Sequence, residues 1–229
     1  AVAVTHKDCE PVDGKVLIRV NDTLKALGDI ARYYRNKFRI PFVAITGSVG
    51  KTSTKDMVWS VLNKRYNVLK TEGNYNNEIG LPLTMLGLDD IHQAGVIEMG
   101  MSGFGEISRL SSIVNPDIAV ITNIGMSHIE KLGSRQNILK AKMEILDGLK
   151  KDGLLILNGD DHLLNGLKHL IDVRMVFYGM EEGHDYQAYN IKTMGKNGTC
   201  FELLVDGKEY LVHVPVPGIH NINNALAAI

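Results

Sequence analysis

The sequence has little of three features that would each assign it to a class of protein. It holds only two cysteines in 229 residues, Cys9 and Cys200. Neither lies in a CxxC or Cys/His pattern, so we interpret both as reduced thiols and not as a disulfide framework or a zinc site. No apolar run approaches the length of a membrane span, and the first residues lack the basic and apolar regions of a signal peptide. The formal net charge of -1 gives no reason to expect binding to nucleic acid or to anionic membranes. We therefore expect a cytoplasmic protein, monomeric, with no membrane insertion.

Apolar runs that suit buried strands alternate with helical patterns along most of the chain. With 45% hydrophobic residues, the chain can bury an ordinary core. The alternation predicts an α/β fold with a mostly parallel sheet flanked by helices. Asn197-Gly198 and Asp206-Gly207 each lie between strand-like runs, which predicts an antiparallel hairpin extension near the C-terminus. The predicted buried strands are 42–45, 95–97, 118–121, 154–157 and 173–177.

The stretch 45–53, ITGSVGKTS, joins the first of these strands to a helix. It departs from the GxxxxGK[ST] phosphate-loop pattern because Ile45 stands where the first glycine belongs. The glycines still allow a tight turn with inward backbone N–H groups, and a helix N-terminus attracts anions. Lys51 can then reach terminal phosphates and the Thr52 hydroxyl can ligate Mg²⁺, so we predict a P-loop NTPase-like sheet. The predicted nucleotide-binding residues of the loop are Gly47, Ser48, Val49, Gly50, Lys51, Thr52 and Ser53.

The glycine-rich stretches also have other interpretations. The loop could be a plain turn with Lys51 in solvent. The sequence gives a weaker indication of dinucleotide binding, because residues 103–108, GFGEIS, lack the third glycine of GxGxxG. A regulatory GTPase should carry an Asn-Lys-x-Asp element, and residues 63–66, NKRY, lack its aspartate.

Glu98 and His128 each follow a predicted buried strand, where ligands bind in open α/β sheets. An oxygen ligand at Glu98 beside the Thr52 hydroxyl suits Mg²⁺. Glu98 could instead be an exposed strand-end carboxylate. A lone histidine is more often a satisfied polar residue, and imidazole is not a favoured Mg²⁺ ligand.

Five stretches together resemble the Mur ligase superfamily, the ATP-dependent amide ligases of peptidoglycan and folylpolyglutamate synthesis. They are TGSVGKT (46–52), GNYNNEIGLP (73–82), IEMG (97–100), NIGMSHIE (123–130) and HNINNAL (220–226). The second stretch has the form typical of the branch that joins D-alanyl-D-alanine to UDP-N-acetylmuramoyl-tripeptide. The resemblance covers residues 41–229 closely and carries no diagnostic motif over 1–40.

This resemblance implies roles for particular residues. It implies ATP and two Mg²⁺ ions as cofactors, with Thr52, Glu98, His128 and Lys142 as metal ligands, and Lys142 carbamylated. It implies Lys51, Lys142 and His128 as catalytic residues. It places Asn221 and Asn224 at the nucleotide, the latter at adenine, and Asn74, Asn76 and Asn77 at the substrate. Lys142 could instead be a solvated lysine on a helix predicted over 137–149, and Asn221 or Asn223 could simply cap the last helix.

The resemblance also implies a reaction and a domain organisation. A peptide carboxylate would take the γ-phosphate of ATP, and the amine of D-alanyl-D-alanine would attack the acyl phosphate. We expect residues 1–40 to be the end of an N-terminal UDP-substrate domain plus linker, and 41–229 to be the central ATP-binding domain. The short final helix suggests a chain cut from a longer protein with a C-terminal domain, inactive alone. Another Mur-type ligase such as folylpolyglutamate synthetase, a P-loop kinase and a noncatalytic nucleotide-binding protein are the alternatives.

Overall fold

A computed structural model describes residues 2–10 and 13–229, which form a large sheet, a small sheet and eight helices in those residues. The strands are β1 (Val2–Thr5), β2 (Val16–Arg19), β3 (Phe42–Thr46), β4 (Val68–Lys70), β5 (Ala94–Glu98), β6 (Ile118–Ile121), β7 (Leu154–Asn158), β8 (Arg174–Gly179), β9 (Tyr186–Thr193), β10 (Thr199–Val205) and β11 (Lys208–Val214). The helices are α1 (Thr23–Arg35), α2 (Lys51–Leu62), α3 (Gly80–Leu86), α4 (Glu106–Val114), α5 (Ile129–Leu132), α6 (Arg135–Met143), α7 (His162–Asn165) and α8 (His220–Leu226).

The main sheet has nine strands in the order β11-β10-β9-β8-β7-β6-β3-β5-β4, and β1 pairs with β2 in a separate parallel sheet. Strands β3 to β9 pair in parallel, whereas β10 and β11 are antiparallel. This confirms the predicted fold class. Strand β3 lies between β5 and β6, so the chain changes direction across the sheet at β3. Ligands of open α/β sheets bind at the carboxyl ends of strands beside such a switch point.

Buried side chains form one hydrophobic cluster on each face of the main sheet. Along β3, Phe42 and Ala44 belong to one cluster, while Ile45 belongs to the other. Successive strand residues point to opposite faces, so a strand covered on both sides is apolar throughout. Helix α8 packs with the second cluster through Ile222. The continuous apolar runs of the sequence are therefore explained by helices on both faces.

Some helices differ from their predictions. Helical spacing in the sequence predicts that Asp22 caps α1 and that Leu24 lies on its buried stripe. Asp22 does cap α1, by accepting from the N–H groups of Leu24 and Lys25, but Leu24 is 38% exposed. The same spacing predicts an apolar face of α2 formed by Met57, Val58, Val61 and Leu62. This prediction is wrong at Val61, which is 53% exposed, because the helix buries Thr54, Lys55 and Val58. The helix predicted over 137–149 spans Arg135–Met143 and continues as a 3₁₀ turn over Glu144–Asp147. In the described residues, no helix combines the length and the apolar character that crossing a bilayer requires.

Candidate active site

The loop after β3 depends on glycine at two positions. Gly47 has φ 152° and Gly50 has φ 84°, and both values lie in the region where side chains are rare. A Cβ on Gly47 would overlap the Thr122 side chain, and one on Gly50 would lie 2.7 Å from Asn224 Oδ1. The close packing around the loop therefore excludes larger residues.

The segment after β6 holds this loop in place. The Asn123 side chain accepts from Val49 N at 3.0 Å and donates to Val49 O at 2.9 Å. Thr122 Oγ1 also donates to Val49 O, at 2.6 Å, and Gly125 N donates to Ser48 Oγ at 2.9 Å. From the sequence, His128 was the predicted functional residue of this segment, and the roles of Thr122 and Asn123 were missed. Both side chains contact Val49, which is more than seventy residues away in the chain.

Lys51 is the first residue of α2 and folds back over the loop. Its Nζ donates to Gly47 O at 3.0 Å, and burial lowers its pKa while the charge of Glu98 acts in the opposite direction. Within the described part of the chain, the first turn of α2 has no acidic residue and no side-chain cap. The N–H groups and positive dipole of this helix end are thus available to an anion, which fits a phosphate. Thr52 and Ser53 are exposed at the same helix end.

Glu98 is the last residue of β5 and is only 2% exposed, so the interpretation as an exposed carboxylate is wrong. Its Oε1 accepts from Asn76 Nδ2 at 2.7 Å, and its backbone N–H donates to Thr71 Oγ1 at 2.9 Å. Its Oε2 is buried without a hydrogen-bond partner among the described residues. An unpaired buried carboxylate oxygen is costly. A hard divalent cation would satisfy it, and so this site fits Mg²⁺.

Lys142 lies near the end of α6 and is 2% exposed. It is therefore not a solvated helix lysine. In the residues described, no carboxylate lies within ion-pair distance of its amine. Burial lowers its pKa to about 7, with a further contribution from the positive charge of Lys51. The charge of Lys51 therefore acts on Lys142, and the charge of Glu98 acts on Lys51.

The remaining predicted ligands are placed differently. His128 is exposed, has φ 65° and precedes α5 as its N-cap. Asn76 contacts Glu98, whereas Asn74 and Asn77 are exposed. The Asn77 side chain accepts at 2.9 Å from the backbone N–H of Gly80, the first residue of α3. The metal role of His128 and the substrate roles of the three asparagines stay predictions.

Asn221 and Asn224 form a hydrogen-bonded pair that connects α8 to the first turns of α2. Asn224 accepts from Thr54 Oγ1 at 3.1 Å and donates to Asn221 Oδ1 at 3.0 Å. Neither residue caps α8, whose N-cap is Ile219. Asn221 donates to Pro217 O at 2.9 Å. Both side chains therefore have protein partners, and the contact of Asn224 with adenine stays a prediction.

A second group of potential metal ligands lies at the ends of β7 and β8. Ligand atoms of Asp160, Glu181 and His184 lie within 4.8 Å of one another. The Asp160 carboxylate already accepts from the backbone N–H groups of Met180 and Glu181 and lies 3.2 Å from His184 Nε2. These contacts give the cluster a structural role, because they hold the turn after β8 in place.

Comparisons with known proteins agree with this geometry. The family model described as "Mur ligase middle domain" matches residues 45–229. A UDP-N-acetylmuramoyl-tripeptide--D-alanyl-D-alanine ligase from Bacillus subtilis is 45% identical over 219 residues, which cover 96% of this chain and 47% of that protein. The crystal structure of MurF from Acinetobacter baumannii has a TM-score of 0.90 at 33% identity, covering 98% of this chain and 49% of the other.

A further solved structure, MurF ligase from Thermotoga maritima in complex with ADP, has a TM-score of 0.89 at 28% identity and covers 98% of this chain and 52% of the other. The chain thus spans about half the length of the relatives it matches. Since the family model accounts for most of its residues, the chain belongs to the Mur ligase family.

Proposed function

We propose that the protein is an ATP-dependent ligase that joins D-alanyl-D-alanine to UDP-N-acetylmuramoyl-tripeptide in peptidoglycan precursor synthesis. The observation that carries this proposal is the buried, unpaired oxygen of Glu98 at the strand end beside β3 and its phosphate loop. The relatives of that name, which align with nearly the whole chain, support the choice of substrates. We propose that the protein acts in the cytoplasm as a monomer.

The reaction requires positioning and charge neutralisation more than a protein nucleophile. An oxygen of the tripeptide carboxylate attacks the γ-phosphorus of ATP, and the bond to the β,γ-bridging oxygen breaks, which gives an acyl phosphate and ADP. The amine of D-alanyl-D-alanine then attacks the acyl carbon. The resulting tetrahedral intermediate expels phosphate, and the amine loses a proton. Lys51, which already lies over the loop, would balance the charge of the transferring phosphoryl group.

We assign Thr52, Glu98, His128 and Lys142 as the ligands of two Mg²⁺ ions. Bound Mg²⁺ neutralises phosphate charge and orients the phosphoryl group. Glu98 can present its free oxygen while Asn76 holds the other oxygen. The Thr52 hydroxyl lies at the exposed start of α2. Glu98 and Thr52 each offer an oxygen donor, which Mg²⁺ prefers.

Lys142 suits this role only after modification, because a buried ammonium beside Lys51 would repel a cation. We propose that its neutral amine adds CO₂, forming an N–C bond and releasing one proton, so that a carbamate replaces the positive charge. The test is Lys142→Ala in the full-length gene product, with turnover measured before and after addition of short carboxylates. Partial rescue by a carboxylate is expected, and unimpaired turnover of the variant would remove any carbamate role.

We also propose that residues 1–40 form the end of a UDP-substrate domain plus linker, and that 41–229 are the central ATP-binding domain. Helix α1 packs against the central domain, since Ala31 is fully buried and Arg35 donates to Val114 O. We infer that α1 fixes the linker rigidly onto α4, so that only the residues before it are free to belong to another unit.

The experiment that tests the function measures ADP release by the full-length gene product. Release that requires both UDP-N-acetylmuramoyl-tripeptide and D-alanyl-D-alanine supports the proposal. Turnover independent of the muramoyl peptide would indicate a kinase or switch, and nucleotide binding without turnover would indicate a scaffold. Activity with a different acid and amine would indicate another Mur-type ligase.

A further inference from the structure

Glu144 is a carboxylate that the proposed reaction does not use, and it is placed two residues after Lys142. It begins the 3₁₀ turn Glu144–Asp147 that follows α6. Its partly exposed side chain reaches the first turn of α4. Gly105 N donates to both of its oxygens, at 2.7 and 2.9 Å, and Ser108 N donates to Oε2 at 3.3 Å.

These hydrogen bonds place a negative charge at the positive end of a helix. Gly105 is the N-cap of α4 with φ 80° and offers no side chain of its own. Glu144 therefore supplies from a distant segment the cap that the local sequence lacks. Carboxylate bonds to backbone N–H groups at a helix N-terminus are charge-assisted and stronger than neutral ones.

The two segments joined in this way carry two of the proposed metal ligands. Helix α4 follows the turn that begins directly after Glu98, the last residue of β5. Helix α6 carries Lys142 and ends one residue before Glu144. A second contact lies further along α4, where Ser111 Oγ donates to the carbonyl oxygen of Ile145 in the same 3₁₀ turn. The 3₁₀ turn that follows Lys142 is thus held against α4 at two places.

We propose that Glu144 is a positioning residue that sets the place of Lys142 relative to Glu98. The carboxylate fixes the end of α6 against α4, so the buried amine cannot move outward to reach water. The proposal deepens the proposed function, on which its consequence for turnover rests. The position of the amine itself is independent of any reaction and can be measured separately.

The test compares Glu144→Ala with Ser134→Ala in the full-length gene product. Ser134 caps the opposite end of the same helix, with its Oγ accepting from Asn137 N at 3.2 Å, and it has no part in the site. The probe is acetic anhydride, added in CO₂-free and metal-free buffer so that Lys142 carries its free amine, and acetylation of each lysine is followed by mass spectrometry. Lys55, 3% exposed in α2, is the internal reference within each variant.

We expect acetylation of Lys142, relative to Lys55, to increase at least about fivefold in Glu144→Ala and to stay within about twofold of wild type in Ser134→Ala. Glu144→Gln keeps one acceptor oxygen and should give an intermediate rate. If the ligase reaction is confirmed, kcat should fall about tenfold in Glu144→Ala, with the KM for ATP changed less.

Equal acetylation of Lys142 in the two alanine variants, at similar melting temperatures, would overturn the positioning role. So would an increase that extends equally to Lys55, because it would indicate general loosening of the fold. Failure of the ligase assay alone would contradict the proposed function and leave the acetylation result to decide the role of Glu144.

Discussion

Two regions of the main sheet fix the shape of the turns that follow their strands in different ways. In the antiparallel extension, β9–β11, the turn between β10 and β11 is Asp206-Gly207, with φ 50° and 72°. Two residues with positive φ form the tight turn that matches the twist of a hairpin, so the local sequence is sufficient. At the phosphate-loop edge, formed by the ends of β3, β5 and β6, the loop keeps its shape through contacts with distant residues such as Asn123.

The same two regions differ in the charge of the buried groups that they leave unpaired. In the extension, Thr199 Oγ1 of β10 is buried without a hydrogen-bond partner among the described residues, but a hydroxyl is neutral. At the phosphate-loop edge, one oxygen of Glu98 and the amine of Lys142 are buried without a partner of opposite charge in the described residues. Unpaired buried charge destabilises a fold, and regions that retain it are candidates for function. The difference indicates that this edge of the sheet is built for a ligand.

Lys51→Ala, at the phosphate-loop edge, should have the largest effect of any single substitution in the two regions. Removing the ammonium leaves the loop without the cation that lies over it, and we expect ADP formation to fall at least about 10³-fold. Because the hydrogen bonds of the Lys51 amine to described residues go only to carbonyls of its own loop, the melting temperature should stay close to that of the wild type. Retained ATPase or ligase activity in the variant would contradict the assignment of the loop.

The pH dependence of stability tests whether the burial of Lys142 is costly. Burial lowers its pKa in the folded protein to about 7, from an ordinary value of 10.5. Between pH 7 and pH 10.5 the unfolded chain therefore binds more protons than the folded one. Stability should therefore rise with pH across this window. Lys142→Met removes the effect, and in metal-free and CO₂-free buffer it should melt higher than wild type at about pH 6, with a smaller difference at about pH 9. A difference that is constant or grows with pH would be inconsistent with the buried amine.

Asn123→Ala tests whether distant contacts shape the loop. The variant loses the two hydrogen bonds that hold Val49, and we expect the affinity for ADP, measured by calorimetry, to fall about tenfold, or ~1.4 kcal/mol. Asn36→Ala, at the exposed end of α1, is the matched control and should bind ADP as wild type does. Similar affinity in both variants would show that the loop holds its shape locally.

Gly207→Ala should have the smallest effect and should be confined to stability. An alanine at φ 72° meets no neighbouring atom but adopts an unfavourable backbone conformation. The expected cost is about 1 kcal/mol, visible as a lower melting temperature, with ADP affinity unchanged. A loss of ADP affinity would show that the antiparallel extension and the phosphate-loop edge are coupled and do not hold their shapes independently.

Particular elements show where sequence reasoning was sufficient. The predicted apolar runs form β3, β5, β6, β7 and β8. Strands covered on both faces have apolar side chains on both sides, so they are recognisable as continuous apolar runs in the sequence. Strand β4 has three residues, too few for a periodic signal. Helix α3 lies in a stretch rich in Gly and Asn and includes Pro82, a composition that predicts a loop. The error at Val61 arose because α2 buries Thr54 and Lys55, which hydrophobic periodicity does not mark.

The sequence by itself determined the order of the long buried strands, the glycine loop with Lys51 and the final hairpin turn, because each depends on residues that are neighbours in the chain. Only the tertiary structure decided that Glu98 and Lys142 are buried, that Asn123 supports the loop and that Glu144 caps α4. These facts depend on parallel strands whose partners are tens of residues apart. Burial and charge pairing are properties of that assembled edge, and no local pattern encodes them.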